Sequence, residues 1–129
     1  LEGALKMKEI TYIHAEGWAA GELKHGPFSL LTPKTPVVAV CTKDDAYPVM
    51  ISNIKEMKAR GAPVIAIGSG GDADLKEIAD IFIPLPRSKN ICEVISATII
   101  LQMIAYNTAV LLGRDVDKPR NLAKSVTVI

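Results

Sequence analysis

Two short runs without a polar residue, residues 36–41 (PVVAVC) and residues 63–67 (PVIAI), constrain this chain more than any other feature. A strand covered on one face alternates apolar and polar positions. A strand apolar at every position is covered on both faces, which is the habit of parallel strands. Parallel strands need crossovers of helix length, and the intervening sequence provides them. Asp44 or Asp45 stands where a helix cap belongs, with Pro48 in the first turn and Ile51, Ile54 and Met57 on one face before Gly61. A shorter helix fits residues 73–79, and a third strand fits residues 80–85 (DIFIPL). Asn90 with Glu93 reads as a capping box that opens a long helix closed by Gly113. Ahead of the strands, Ala4, Leu5, Met7, Ile10 and Ile13 give residues 2–14 a helical stripe. Residues 15–24 suit a second, shorter helix stopped by Gly26-Pro27. The expected fold is α/β, a three-layer α-β-α arrangement with a parallel sheet of the flavodoxin type. The run at 36–41 follows two helices with no strand before it, which leaves an open edge. A first strand missing ahead of Leu1, or another chain, is expected to cover it.

At 129 residues the chain suits one domain. Its 15 Lys and Arg against 14 Asp and Glu leave a formal charge of +1, with no basic run. Nucleic acid is therefore not the expected partner, because phosphate binding needs clustered cations. Cys41 and Cys92 stand far apart with no metal-ligand spacing, so no metal site is expected, and both read as buried, reduced thiols of a cytoplasmic protein. Leu1 falls inside a helical pattern with no Met before it, as in a piece of a longer polypeptide. Residues 94–112 carry no charge and are long enough for a membrane span. Ser96, Thr98, Gln102, Asn107 and Thr108 interrupt them, and there are no positive flanks of the expected kind. A buried core helix, with no membrane, is the expectation.

Three places hold residues of chemical interest. Glu2, Lys6 and Glu9 fall within about 60° of one another on a helix. They form either an exposed face with Glu-to-Lys pairing or a carboxylate base with a cation beside it, fit for proton transfer next to a carbonyl. His25 ends a helix beside Gly26-Pro27, as a surface or capping residue or as an acid–base group projecting into a cleft. Residues 68–72 (GSGGD) follow a strand and precede a helix, but lack the spacing and the lysine of a phosphate loop, and read as a turn. The tail from Arg114 is aperiodic. It is either a loose end or, given Leu122, Ala123, Val126 and Val128, a segment lying in a groove, where Lys124 would be partly desolvated and more nucleophilic.

Residues 1–27 (LEGALKMKEITYIHAEGWAAGELKHGP) and 115–128 (DVDKPRNLAKSVTV) resemble the glutamine–fructose-6-phosphate aminotransferase family, in its second sugar-isomerase (SIS) module. E-x-x-HGP is shared widely among SIS domains, whereas EGALK-x-KE and PRNLAKSVTV are more specific. The resemblance implies a SIS-like module over residues 1–113, truncated at its start, and an active-site tail over residues 114–129. It implies a parent enzyme that makes glucosamine 6-phosphate from fructose 6-phosphate and glutamine-derived ammonia, without a cofactor. By position, Glu9 matches the base moving a proton between C1 and C2, and Lys6 the lysine at the adjacent oxygen. His25 matches the histidine of ring opening, contributed to the neighbouring subunit's site, and Lys124 the tail lysine that forms an imine with the ketose. Glu2 and Ala123, with Lys124, are expected at the substrate. Implied partners are an N-terminal glutaminase domain, a first SIS module and a second subunit of a homodimer. Without the first module's Ser/Thr phosphate loops, the segment alone is expected to be inactive. Two other classes remain open: a different SIS-type phosphosugar isomerase or deglycase, and a non-catalytic sugar-phosphate-binding dimerisation module.

Overall fold

Three parallel strands lie in the order β1 (Val37–Cys41), β2 (Val64–Ser69), β3 (Ile81–Leu85). Val37 stands opposite Val64, and Ile65 opposite Ile81. The computed structural model describes residues 1–86 and 91–122. Its helices are α1 (Glu2–Thr11), α2 (Tyr47–Ala59), α3 (Ala73–Ile78) and α4 (Ile91–Leu111), with two 3-10 helices, Ala20–His25 and Pro27–Leu30, ahead of β1. The class is α/β with a parallel sheet, as the apolar runs predict. Central β2 is the strand covered on both faces, with Val64, Ala66 and Ile67 fully buried. On β1 the pattern departs from expectation: Val40 is exposed while Ala39 and Cys41 are buried, so this strand, which among the described residues pairs with β2 alone, is fully covered on one face only. Pro84, which has no N–H for a ladder, sits in the opposite outer strand, where that lack is tolerated.

The chain divides into two compact units, one of Trp18–Ala97 and one of Leu1–Gly17 with the chain from Thr98 onward. In the first, Ile54 and Met57 of α2 and Leu75 of α3 are buried with Ala39, Cys41, Val64 and Ala66 of the sheet. The fit is tight at Gly68, opposite Cys41. A Cβ there would stand 2.8 Å from the Cys41 carbonyl oxygen and overlap the Leu75 side chain. Helix α2 starts at Tyr47 with Pro48 in its first turn, as expected, but no side chain caps it. Asp44 instead holds the approach, accepting from the Ala46 amide at 2.9 Å and the Thr42 hydroxyl at 2.8 Å. Asp80 joins three elements: Oδ1 accepts from Lys58 Nζ at 2.6 Å and Oδ2 from the Val64 amide at 2.7 Å. The Lys58 hydrogen bond, above all, holds the Asp80 carboxyl below the usual carboxylate range. Of the expected turn over residues 68–72, Gly68 and Ser69 belong to the end of β2 and Gly70 and Gly71 make the turn, after which Asp72 accepts from the Leu75 amide at 3.1 Å and caps α3.

In the second unit, α1 meets the C-terminal part of α4 closely enough that a Cβ on Gly3 would stand 2.9 Å from Leu101 Cβ. The helix is shorter than the expected 2–14. Thr11 turns its hydroxyl back to the Met7 carbonyl (2.6 Å) and accepts the Ile13 amide (3.1 Å), and Tyr12 adopts a left-handed conformation, φ 65°. No α-helix forms over 15–24 either. Gly17 and Gly21 each cost roughly 1 kcal/mol of helix propensity, and 3-10 turns appear instead from Ala20.

Two further expectations are corrected. Helix α4 is buried along a narrow alanine stripe (Ala97, Ala105, Ala109), whereas Val94, Ile95, Ile99, Met103, Tyr106 and Val110 are exposed. It is long and apolar enough to cross a membrane by length and composition, with 17% of its most apolar window buried. The polar residues along it do not decide the matter. Asn107 and Thr108 donate to carbonyls of their own helix (both 2.7 Å), so neither needs an outside partner. Cys41 is buried, but Cys92 is exposed, because it lies on that same uncovered helix. Glu93 accepts from Ser69 Oγ at 3.4 Å, and its expected capping partner Asn90 lies outside the described residues.

Candidate active site

Helix α1 places Glu2, Lys6 and Glu9 on one ridge, and the close pair is not the expected i,i+4 one. Lys6 Nζ donates to Glu9 Oε2 at 2.6 Å and stands 4.0 Å from Glu2 Oε1. Glu2 in turn accepts from Gln102 Nε2 of α4 at 3.3 Å, which holds the acid at the start of the ridge. The Lys6 and Glu9 side chains are 35% and 25% exposed, so the contact is too wet to be a large source of stability. Its electrostatic effect is clearer. The hydrogen bond that Lys6 donates to Glu9 raises the ammonium above its ordinary range against the opposing effect of burial, so the amine is a fixed cation at neutral pH. A fixed cation against a carboxylate suits stabilising charge that develops on an oxygen while the carboxylate moves a proton.

Glu9 faces an open cleft of about 400 Å³, whose far side is built by Arg120, Asn121 and Leu122. The tail reaches it by a defined route. Gly113, φ 64°, closes α4, and Asp115 Oδ1 then accepts the amides of Asp117 and Lys118, both at 3.0 Å, to turn the chain. The Arg120 amide donates to the Tyr12 hydroxyl at 2.9 Å. The Arg120 and Arg114 guanidinium groups lie over the Tyr12 ring, 4.2 and 5.2 Å from its centroid. The tail is thus tied down at Arg120 and lines the cleft as far as Leu122, which is itself exposed. Ala123 and Lys124 lie outside the described residues.

His25 belongs to the other unit. It ends a 3-10 helix, is exposed, and is followed by Gly26 at φ 133°. Lys24 beside it is tied to Glu56 of α2 at 2.8 Å. The structure thus brings Lys6, Glu9 and Glu2 together on the helix and carries the tail to the same cleft.

Sequence reasoning missed Tyr12. An aromatic residue in the left-handed region costs about 1–3 kcal/mol, a clue visible only in the backbone. It also missed the group behind Cys41. Tyr47 donates to buried Asp72 at 2.8 Å, with Lys43 Nζ 3.7 Å from the other carboxylate oxygen. Burial, with the nearby Asp72 charge, pushes the Cys41 thiol up to about 11. Among the described residues, no three His, Cys, Asp or Glu side chains gather as metal ligands would.

Comparisons with known proteins follow the same lines. The SIS domain family model matches residues 1–112. Glutamine–fructose-6-phosphate aminotransferase (isomerizing) of Methanosarcina acetivorans is 52% identical over 128 residues, covering 99% of this chain and 21% of the relative. The chain thus spans about a fifth of the length of the curated relatives it matches. The solved C-terminal domain of glucosamine-fructose-6-phosphate aminotransferase from Francisella tularensis superposes with a TM-score of 0.81 at 38% identity, over 90% of this chain and 33% of that one. Glucosamine-6-phosphate deaminase of Thermotoga maritima gives 0.76 at 28% identity, over 98% and 35%.

Proposed function

The chain belongs to the SIS domain family, and from that premise we propose that it supplies the C-terminal isomerase segment of a glutamine–fructose-6-phosphate aminotransferase. The carrying observation is the 2.6 Å contact of Lys6 with Glu9, with Glu9 at a cleft the tail also lines. The Lys124 amine adds to C2 of open-chain fructose 6-phosphate and water leaves, giving an imine. Ammonia adds at C2 and the lysine departs, leaving the fructosimine. Glu9 takes a proton from C1 and returns it to C2, while the imine nitrogen gains a proton to become the amine and O1 gives one up to become the aldehyde oxygen of glucosamine 6-phosphate, so that no proton is gained or lost overall. Lys6 stabilises the charge that develops on O1. The two lysines thus divide the work: Lys6 is held as a cation by Glu9, and Lys124 is the nucleophile of this reading. His25 assists ring opening, in the site of a neighbouring subunit. Glu2 and Ala123 support the substrate.

The partners in this reading are the rest of the same polypeptide, with its glutaminase domain and first SIS module, and a second subunit. The exposed apolar face of α4 supports it, since Ile95, Ile99, Met103, Tyr106 and Val110 make a patch that a lone soluble domain rarely leaves open. The setting is cytoplasmic. The test is glucosamine 6-phosphate synthesis by the full-length polypeptide that carries this segment, with Lys124→Arg. Synthesis is expected to vanish while glutamine hydrolysis continues. Synthesis at the unaltered rate would favour an isomerase or deglycase that needs no tail amine.

A further inference from the structure

Tyr12 is odd on three independent counts. It is an aromatic residue held at φ 65°, ψ 17°, a conformation that favours glycine. Its hydroxyl accepts the backbone amide of Arg120, 108 positions away in sequence. Its ring lies under the guanidinium groups of both Arg114 and Arg120. None of the three is needed to end a helix, which Gly or Asn would do with less strain.

We propose that Tyr12 is a positioning residue: it latches the tail, at Arg120, to the end of the helix that carries Glu9, and so sets the reach of Lys124. The inference rests on the function proposed above. Tyr12 follows Glu9 by three residues, and Lys124 follows Arg120 by four. Four extended residues span at most about 14 Å, so fixing the Arg120 amide at the cleft that Glu9 lines sets an upper limit on how far residue 124 can stand from it. The hydrogen bond reads the tail's backbone, which fixes its register against α1. The two cation–ring contacts hold the segment on either side of the Asp115 turn. Confining a nucleophile in this way raises its effective concentration at the carbonyl without adding any contact to the sugar.

Two variants of the full-length polypeptide separate the parts of the latch. Tyr12→Phe removes the hydroxyl and keeps the ring. Tyr12→Gly removes both and relieves the left-handed backbone, so a loss of function is not a loss of fold. The expectation is a fall in kcat of about tenfold for Tyr12→Phe, the weight of one hydrogen bond, and about a hundredfold for Tyr12→Gly. KM for fructose 6-phosphate should stay within about twofold, as expected of a residue that acts through the tail. The yield of borohydride-trapped adduct on Lys124 should fall in parallel. An adduct on Lys124 that forms equally well in both variants overturns the latch and leaves the proposed function standing. A joint rise in KM and loss of melting temperature in Tyr12→Phe also overturns it, in favour of a purely structural tyrosine. Failure of the unaltered protein to form any adduct on Lys124 overturns the proposed function itself, and the latch with it.

Discussion

Lys6 and Glu9, three residues apart on the opening helix, share a hydrogen bond of 2.6 Å, and Glu9 is the member that faces the cleft. The arrangement fixes which of the two is free to move a proton. Glu9→Gln in the full-length polypeptide should therefore lower ketose-to-aldose conversion by about 10²–10⁴-fold, the usual weight of a general base. Glutamine hydrolysis should be unchanged. Glucosamine 6-phosphate assays with glutamine as donor, run beside glutamate release, give both readouts.

Lys6 acts in this account as a cation, never as a nucleophile. Its pKa is raised by the Glu9 hydrogen bond, so its charge persists above the ordinary value of about 10.4 and contributes no limb to a pH–rate profile between pH 6 and 10. Lys6→Met should lower kcat without shifting the profile. A limb that disappears in Lys6→Met would show instead that Lys6 titrates in the working range.

The strands, α2 and the long α4 were legible because each depends on a local run of apolar residues and on its own stops: the apolar positions of 63–67, Pro48, Gly61 and Gly113. The ridge of Glu2, Lys6 and Glu9 was legible for the same reason, since helical spacing alone puts them together. The end of α1 was not. Thr11 hydrogen-bonds backward to Met7 and Tyr12 turns left-handed, and neither event leaves a Gly or Pro in the sequence. The route of the tail was hidden for a different reason. Its anchor on Tyr12 is a contact across 108 residues, with no periodicity to announce it. Exposure on α4 and at Cys92 was misjudged because apolar composition reports a wish for cover, and says nothing of what provides it.

The two cysteines should react very differently. Cys41 is buried and its thiol is pushed up to about 11, whereas Cys92 is exposed. At pH 8 iodoacetamide should modify Cys92 in the native 129-residue chain and leave Cys41 intact until denaturant is added, as read by mass spectrometry. Equal labelling without denaturant would contradict the buried placement of Cys41.

Asp80 gives the fold an acid-sensitive tie. Its folded pKa lies below the unfolded value near 3.9. The stability it adds is therefore present above that value and is lost as pH falls through the lower, folded one. The melting temperature of the native sequence should drop more steeply than that of Asp80→Asn as pH falls below about 4, and the two curves should run parallel above pH 5. Identical acid limbs would remove Asp80 from the account.

Gly68 is the point where β2, the Cys41 backbone and Leu75 meet, with no room for a Cβ. Gly68→Ala should cost about 1–3 kcal/mol through overpacking, measured by urea unfolding. An unchanged midpoint would mean that the sheet and α3 yield more readily than their burial indicates.

The most direct test is chemical. The full-length polypeptide is incubated with fructose 6-phosphate, reduced with borohydride and digested, and the modified peptide is sequenced. The account predicts one reduced sugar adduct, on Lys124. An adduct on Lys6, on another lysine, or on none would contradict it.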